Sequence, residues 1–201
     1  SSGNQAMIMA VCNPADEIIV PRNAHKSTIS ALILSGAIPH YFSPEYDPEL
    51  RLDHTATAEN LKKVLRAHPS ARAVALVSPT YYGFSADLLS IAEVVHQEGK
   101  ILLVDEAWGP HLHFHPELPL SATAAGADLC VNSTHKIIGG LTQTSMLHVK
   151  GDRVDRGRLQ AVLRIFLSTS PSCVLVASLD VARMQMATEG RRLLSRTLRL
   201  A

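Results

Sequence analysis

The sequence predicts an α/β fold in which a mainly parallel sheet is covered by helices. Short apolar runs without polar alternation, such as 73–77 and 101–104, are typical of strands buried on both faces. Longer helical patterns separate these runs, as the crossover connections of a parallel sheet require. A chain of 201 residues with 46% hydrophobic and 18% charged residues has the composition of one globular domain with a buried core.

The first part of the chain predicts two strands and two helices. Glu17–Val20 is a strand that a proline closes. Apolar residues then recur at helical spacing over 26–35, and Gly36 gives a helix end. Ile38–Phe42 is the next strand, and Thr57 is a capping residue that begins a second helix.

The second part predicts three further strands and three further helices. The strands are Ala73–Val77, Ile101–Val104 and Leu129–Val131, and the helices are Ala86–Gln97, 155–166 and 173–199. In parallel sheets, ligands bind beyond the carboxyl ends of the strands. The residues that follow each strand are therefore the place to look for chemistry.

Charge and hydropathy exclude several classes of protein. Nineteen Lys+Arg against eighteen Asp+Glu give a formal net charge of +1, which indicates neither a nucleic-acid nor an anionic-membrane partner. No apolar run approaches the roughly 18–20 residues that span a bilayer, and no export signal is visible, so we expect a cytoplasmic protein. Cys12, Cys130 and Cys173 share no metal-binding or disulfide spacing, and each is expected to be a buried free thiol.

Both ends of the sequence suggest a piece of a larger protein. The opening Ser1-Ser2-Gly3-Asn4 resembles a phosphate-binding run, yet no strand precedes it. The last helical pattern stops without a capping residue. We therefore expect residues 1–201 to be the middle of a longer chain.

Polar residues with chemical potential follow three of the predicted strands. Asp105 ends one strand, Lys136 follows the hydroxyl-rich run 132–134, and His25 lies where a strand meets a helix. Each has an ordinary alternative: a turn or cap for Asp105, a solvated amine for Lys136 and a helix cap for His25. The apolar residues after Lys136, with Gly139 and the glycine beyond it, would desolvate its amine and lower its pKa, as a Schiff-base lysine requires.

Taken together, these residues suit pyridoxal 5′-phosphate. That cofactor needs a site for its phosphate, a carboxylate that keeps its pyridine nitrogen protonated, and an amine that binds its aldehyde. The hydroxyl–glycine run at the start of the chain, Asp105 and Lys136 offer one group for each requirement.

The motifs resemble the major domain of the Orn/Lys/Arg decarboxylase family. The segments that carry the resemblance follow one another in the family's order: 21–27, 78–83, 105–111, 113–116, 133–136 and 168–172. The resemblance extends from Ser1 to about Met186. It implies an aspartate-aminotransferase-like (fold type I) domain that is partial in this chain, with an N-terminal wing and a C-terminal small domain absent.

The resemblance assigns roles around the cofactor ring. Lys136 matches the Schiff-base lysine and Asp105 the partner of the pyridine nitrogen. His25 matches the imidazole that stacks on the ring, and Ala107 packs against the opposite face. Trp108 stands where some members have histidine, so its role stays open.

It also assigns roles around the cofactor phosphate. Ser1 and Ser2 match the phosphate loop, and Ser133 and His135 lie beside the phosphate. Thr169 matches a residue that reaches the phosphate of a neighbouring subunit. The resemblance thus implies a homodimer or a higher assembly of dimers.

The activity that the resemblance implies is decarboxylation of a small basic amino acid, lysine, arginine or ornithine, as in polyamine biosynthesis. The acid that reads the substrate side chain is expected outside this chain. Three alternatives stay open: an aminotransferase or aldol-type lyase that uses the same cofactor, an inactive fragment, and a metal site. The last would use His111, His113 and His115, which would share one face of a strand.

Overall fold

The computed structural model describes residues 1–201 and contains eight strands. They are β1 (Glu17–Pro21), β2 (Ile38–Phe42), β3 (Tyr46–Asp47), β4 (Leu52–Asp53), β5 (Ala73–Val77), β6 (Ile101–Asp105), β7 (Leu129–Asn132) and β8 (Met146–Val149). Six form one sheet in the order β2-β1-β5-β6-β7-β8, and β3 and β4 form a separate hairpin. All neighbours in the large sheet are parallel except β7 and β8. The predicted fold class is confirmed.

Helices cover both faces of the sheet. They are α1 (Ser2–Val11), α2 (Lys26–Ser35), α3 (Ala58–Ala67), α4 (Leu88–Gln97), α5 (Ala122–Ala125), α6 (Thr134–Ile137), α7 (Arg156–Phe166) and α8 (Cys173–Leu200). One core joins α1, α2 and α7 to the sheet through residues such as Ile8, Leu32 and Leu159. A second core joins α3 and α4 to the other face through Leu61 and Ile91. The inner strands β1, β5, β6 and β7 are therefore buried on both sides, as their apolar sequences require.

Local chemistry explains the ends of the helices. Thr57 caps α3 by accepting a hydrogen bond from the backbone N–H of Asn60 at 3.2 Å. Gly36 ends α2 in the left-handed region, at φ +67°, where a side chain would be strained. Helix α4 begins at Leu88 rather than at the predicted Ala86, because the Asp87 side chain caps it.

Two of the three thiols lie where the sequence predicts them. Cys12 and Cys130 are buried, and burial raises the pKa of Cys12 to about 11. The expectation for Cys173 is wrong: it is exposed. Its apolar neighbours Val174 and Val176 are also exposed, at 68% and 58%.

Residues 111–115 do not form the strand that a metal site of His111, His113 and His115 would need. Residues 112–114 make one turn of 3₁₀ helix, which directs the side chains differently from a strand. His115 is buried and hydrogen-bonded to Ser195 at 2.8 Å, whereas His113 is exposed. Among the helices, none is both long and apolar enough to cross a membrane.

We expect Leu102→Ala to destabilise the protein by about 2–5 kcal/mol, because Leu102 is fully buried in β6 and its loss leaves a cavity. Leu89→Ala is the matched control, since 49% of Leu89 is exposed. Urea denaturation measures both changes. Equal losses in the two variants would contradict the position of the core.

Candidate functional site

A cleft of about 780 Å³ opens at the carboxyl ends of the parallel strands. Strand register explains its position: Asp105 at the end of β6 lies beside Val77 of β5 and Val131 of β7. The loops that follow these strands therefore meet at one edge of the sheet. Seven of the predicted site residues line the cleft: Ser1, His25, Asp105, Ala107, Ser133, His135 and Lys136.

Asp105 is buried, with 7% of its surface exposed, and both of its carboxylate oxygens accept hydrogen bonds. Asn4 Nδ2 donates to Oδ2 at 2.5 Å, and the backbone N–H of Ala107 donates to Oδ1 at 3.2 Å. The first contact joins α1 to the end of β6. The carboxylate is thus fixed in orientation before anything binds in the cleft.

A chain of hydrogen bonds continues from Asn4 to His25. Asn4 Nδ2 also donates to Ser27 Oγ at 2.9 Å, and Ser27 Oγ lies 2.7 Å from His25 Nδ1. Because Ser27 Oγ accepts from Asn4, its hydroxyl proton is free to point at His25. The backbone N–H of Ser27 donates to the same nitrogen at 3.2 Å. His25 Nδ1 is therefore an acceptor, and the neutral ring carries its proton on Nε2.

His25 both caps a helix and faces the cleft. Its side chain is the N-cap of α2, so the ordinary interpretation of this histidine is also correct. Partial removal from water lowers the pKa of His25 below the usual histidine value. The positive charge of Lys136 lowers it further, while Asp105 opposes the shift. The ring is neutral near pH 7.

Lys136 lies on the short helix α6, and its amine is 4.3 Å from the centre of the Trp108 ring. Tyr81 packs edge-on against the same indole, with ring centres 5.3 Å apart. A cation held over an aromatic face is stabilised by the ring quadrupole. Lys136 is nevertheless exposed, so within this chain its neighbours do not provide the desolvated setting that the sequence predicts.

The part of the cleft wall at the start of helix α1 offers hydrogen-bond donors for an anion. Helix α1 begins at Ser2, with Ser1 as its N-cap, and the first turn of a helix leaves backbone N–H groups without helical partners. His135 Nδ1 lies 2.6 Å from the Thr144 carbonyl. Because a carbonyl only accepts, Nδ1 carries a proton, and in the neutral ring Nε2 is left as an acceptor.

Two predicted site residues lie outside the cleft lining. Ser2 is exposed on the first turn of α1, beside the lining residue Ser1. Thr169 is exposed between α7 and α8. The role expected of Thr169 is toward a neighbouring subunit, so its position in one chain leaves that prediction untested.

Glu106, next to Asp105, is directed into the protein rather than into the cleft. Its Oε1 accepts from the backbone N–H of Ala122 at 2.6 Å, and its Oε2 accepts from Asn132 Nδ2 at 2.9 Å. Burial raises the pKa of the Glu106 carboxyl. This side chain ties α5 and the end of β7 to the strand that carries Asp105.

Sequence reasoning missed Asn4 and Ser27 as partners of the site, and it missed a wall of the cleft. The sequence motifs indicate Asn4 only as part of a phosphate-binding run, and Ser27 only as part of the segment 21–27 that carries the resemblance. The missed wall comes from the β3–β4 hairpin, with Tyr46, Arg51 and Asp53. Strands of two residues carry no periodicity that would reveal them.

A second polar cluster lies away from the cleft, where Glu17, His40 and His68 approach one another. Glu17 Oε2 is 2.7 Å from His40 Nε2 and accepts from Ser70 Oγ at 2.6 Å. The two imidazoles stack 3.7 Å apart at an interplanar angle of 18°. Nearly parallel rings do not direct their lone pairs at one ion. Hydrogen bonding and stacking account for this cluster.

The whole chain, residues 1–201, matches the family described as "Orn/Lys/Arg decarboxylase, major domain". Over 201 residues it is 49% identical to an arginine decarboxylase of Bacillus subtilis, covering 100% of this chain and 41% of that protein. It is 27% identical to a lysine decarboxylase of Pseudomonas aeruginosa over 219 residues, covering 98% of this chain and 29% of that protein. The chain thus spans less than half the length of these relatives.

Solved structures share the fold. Lysine decarboxylase A from Pseudomonas aeruginosa aligns with a TM-score of 0.83 and 26% identity over 99% of this chain and 30% of that chain. An aspartate aminotransferase variant from Thermus thermophilus aligns with a TM-score of 0.69 and 18% identity over 100% of this chain and 53% of that chain. The second likeness concerns the fold alone and confirms the aminotransferase-like architecture, fold type I.

We expect nitrogen NMR to find His25 as the Nε2–H tautomer in the protein near pH 7. Ser27→Ala should raise the pKa of His25, because Nδ1 then loses the hydroxyl donor that favours its unprotonated form. Ser30→Ala, in the same helix, is the control and should leave the titration unchanged. A proton on Nδ1 in the wild-type protein would contradict the hydrogen-bond directions.

Proposed function

We propose that the whole protein uses pyridoxal 5′-phosphate to decarboxylate a basic amino acid, because this chain belongs to the Orn/Lys/Arg decarboxylase family. The observation that carries the proposal is the convergence of Asp105, His25 and Lys136 on one cleft. The products are carbon dioxide and the corresponding amine. The activity is proposed for the whole protein, because this chain spans less than half the length of its relatives.

The residues of the cleft fit this cofactor. Asp105 is a buried, oriented carboxylate for the pyridine nitrogen, and Lys136 offers an amine for the aldehyde. Asn4 Oδ1 is buried without a protein partner in a residue that lines the cleft, so a bound group can supply a donor. A Cβ on Gly3 would lie 2.7 Å from Val131 Cγ2, so this glycine lets the start of α1 approach the strand ends.

The phosphate would lie at the start of α1. Ser1, Ser133 and His135 line this part of the cleft, and we propose that Ser1 and Ser133 bind the phosphate with the free N–H groups of the helix, while His135 lies beside it. Ser2, on the same turn, would contribute its backbone N–H. The partial positive charge at a helix N-terminus favours an anion here.

The bound cofactor supplies an electron sink for the bond that breaks at the substrate α-carbon. Asp105 would keep a proton on the ring nitrogen, and Asn4 holds the Asp105 carboxylate in place. Neutral His25 would cover one face of the ring and exclude water, and Ala107 would pack against the other face. We propose that Trp108 positions the Lys136 amine through its ring face.

Among reactions of this cofactor, family membership favours decarboxylation over transamination or aldol cleavage. Arginine is the favoured substrate, since arginine decarboxylases of bacilli share 47–49% identity with this chain and lysine decarboxylases share 26–27%. We also propose that the protein acts in the cytoplasm and contributes to the synthesis of amines from basic amino acids.

We also propose that the active site is completed by a second copy of the chain. Thr169 is exposed, and its hydroxyl has no hydrogen-bond partner within the chain. Large exposed apolar side chains flank it, including Ile165, Leu167 and Val174. An apolar surface around an unpaired hydroxyl suits a homodimer interface in which Thr169 reaches the partner's phosphate.

We expect borohydride reduction of the full-length protein with cofactor to leave a pyridoxyl group on Lys136. Lys136→Ala should remove the label and the activity, because no other amine replaces it. Lys100→Ala is the matched control, since that amine donates to the Pro69 carbonyl away from the cleft. Peptide mapping that finds the label on Lys26 or Lys150 would refute the assignment.

A mixture of full-length Lys136→Ala and Thr169→Ala subunits should regain activity after subunit exchange. Each mixed dimer has one site with an intact Lys136 and an intact Thr169 from the partner, so random exchange restores about a quarter of the wild-type activity. Activity assays before and after exchange measure the gain. A mixture with proven exchange but no gain would exclude a role for Thr169 across the interface.

A further inference from the structure

We infer that the β3–β4 hairpin forms the subsite for the cationic end of the substrate side chain, with the Asp53 carboxylate as its counter-ion. The inference rests on the proposed function, since it concerns how a basic amino acid would be selected. A guanidinium or ammonium group that leaves water needs a carboxylate or an aromatic face in the cleft.

Two carboxylates line the cleft, Asp105 and Asp53. Both oxygens of Asp105 already accept hydrogen bonds, and this residue is the proposed partner of the ring nitrogen. The Asp53 side chain is half-buried and has no hydrogen bond or ion pair within the chain. A carboxylate of the cleft lining that has no partner within the chain is the group that a substrate cation requires.

The hairpin holds Asp53 in a defined position. Asp53 pairs with Tyr46, and Asp47 pairs with Leu52, in an antiparallel ladder. At the turn, Asp47 Oδ1 accepts from the backbone N–H groups of Glu49 and Leu50, both at 2.8 Å. These bonds lower the pKa of Asp47, so its carboxylate stays charged and the turn stays closed.

The hairpin is also fastened to the body of the protein. His54, next to Asp53, stacks on Phe84 with ring centres 4.0 Å apart. Asn23 Nδ2 donates to the His54 carbonyl at 3.3 Å. Because Asn23 is two residues from His25, the contact ties the hairpin to the loop that carries the stacking histidine. The backbone at Asp53 is thus held before binding, which reduces the entropy lost when a substrate is ordered.

The surroundings of Asp53 distinguish a cation from other groups. Tyr46, Tyr81 and Tyr82 line the cleft and present aromatic surface to a guanidinium or ammonium group. Lys26 and Lys136 line it too and repel a cation near them, while Arg51, in the same hairpin, forms no ion pair with Asp53. Asp53 is therefore the one unengaged negative charge in the cleft. By this inference, the acid that reads the substrate side chain is Asp53, which lies within this chain and not, as expected from the sequence, outside it.

The test uses the full-length protein with its cofactor. Asp53→Asn should raise KM for arginine at least roughly tenfold while kcat stays within about twofold, because the lost contact is far from the bond that breaks. Asp53→Glu should restore part of the affinity. The amine product, as a competitive inhibitor, should lose affinity in parallel in Asp53→Asn.

Glu49→Gln is the matched control, because it removes the same charge from the exposed turn of the same hairpin, outside the cleft lining. Its KM should stay at the wild-type value, and thermal melting should show that all variants are folded. An unchanged KM in Asp53→Asn, or an equal rise in Glu49→Gln, overturns the inference while the proposed function stands. A wild-type protein that decarboxylates no basic amino acid overturns both.

Discussion

Parallel pairing of β5, β6 and β7 places the carboxyl ends of these strands side by side, and every part of the candidate site depends on that alignment. The register sets Asp105 between two valines, where its carboxylate meets the start of α1. The loop after β7 then delivers Lys136 to the same edge. A shift in register would turn Asp105 into the protein and exchange it with Glu106, because neighbouring side chains face opposite ways.

The two acidic neighbours show how one strand end serves packing and chemistry together. Glu106 satisfies buried donors on α5 and β7 and keeps the strand ends aligned. Asp105, one residue earlier, is bound by Asn4, which also reaches Ser27 and through it His25. Helices α1 and α2 are thereby linked by hydrogen bonds to the Asp105 carboxylate in the cleft.

Five of the six strands of the large sheet and most helices could be predicted, because continuous apolar runs and capping residues are local signals. Strands β3, β4 and β8 could not be predicted from such signals. The strand-end positions of Asp105 and Lys136 followed from the same signals. The contact of Asn4 with Asp105 could not be predicted, since it joins residues 101 positions apart. The exposure of Cys173 was missed because an apolar stretch of sequence does not show whether another element covers it.

Trp108 is the only tryptophan in the sequence, and its indole packs beside Lys136 and Tyr81. All of the tryptophan emission of this chain therefore arises at the wall of the cleft. A chromophore bound at the amine would lie within energy-transfer distance of that indole. The molecule thus carries an optical reporter of its own site, with no second emitter of the same kind to obscure the signal.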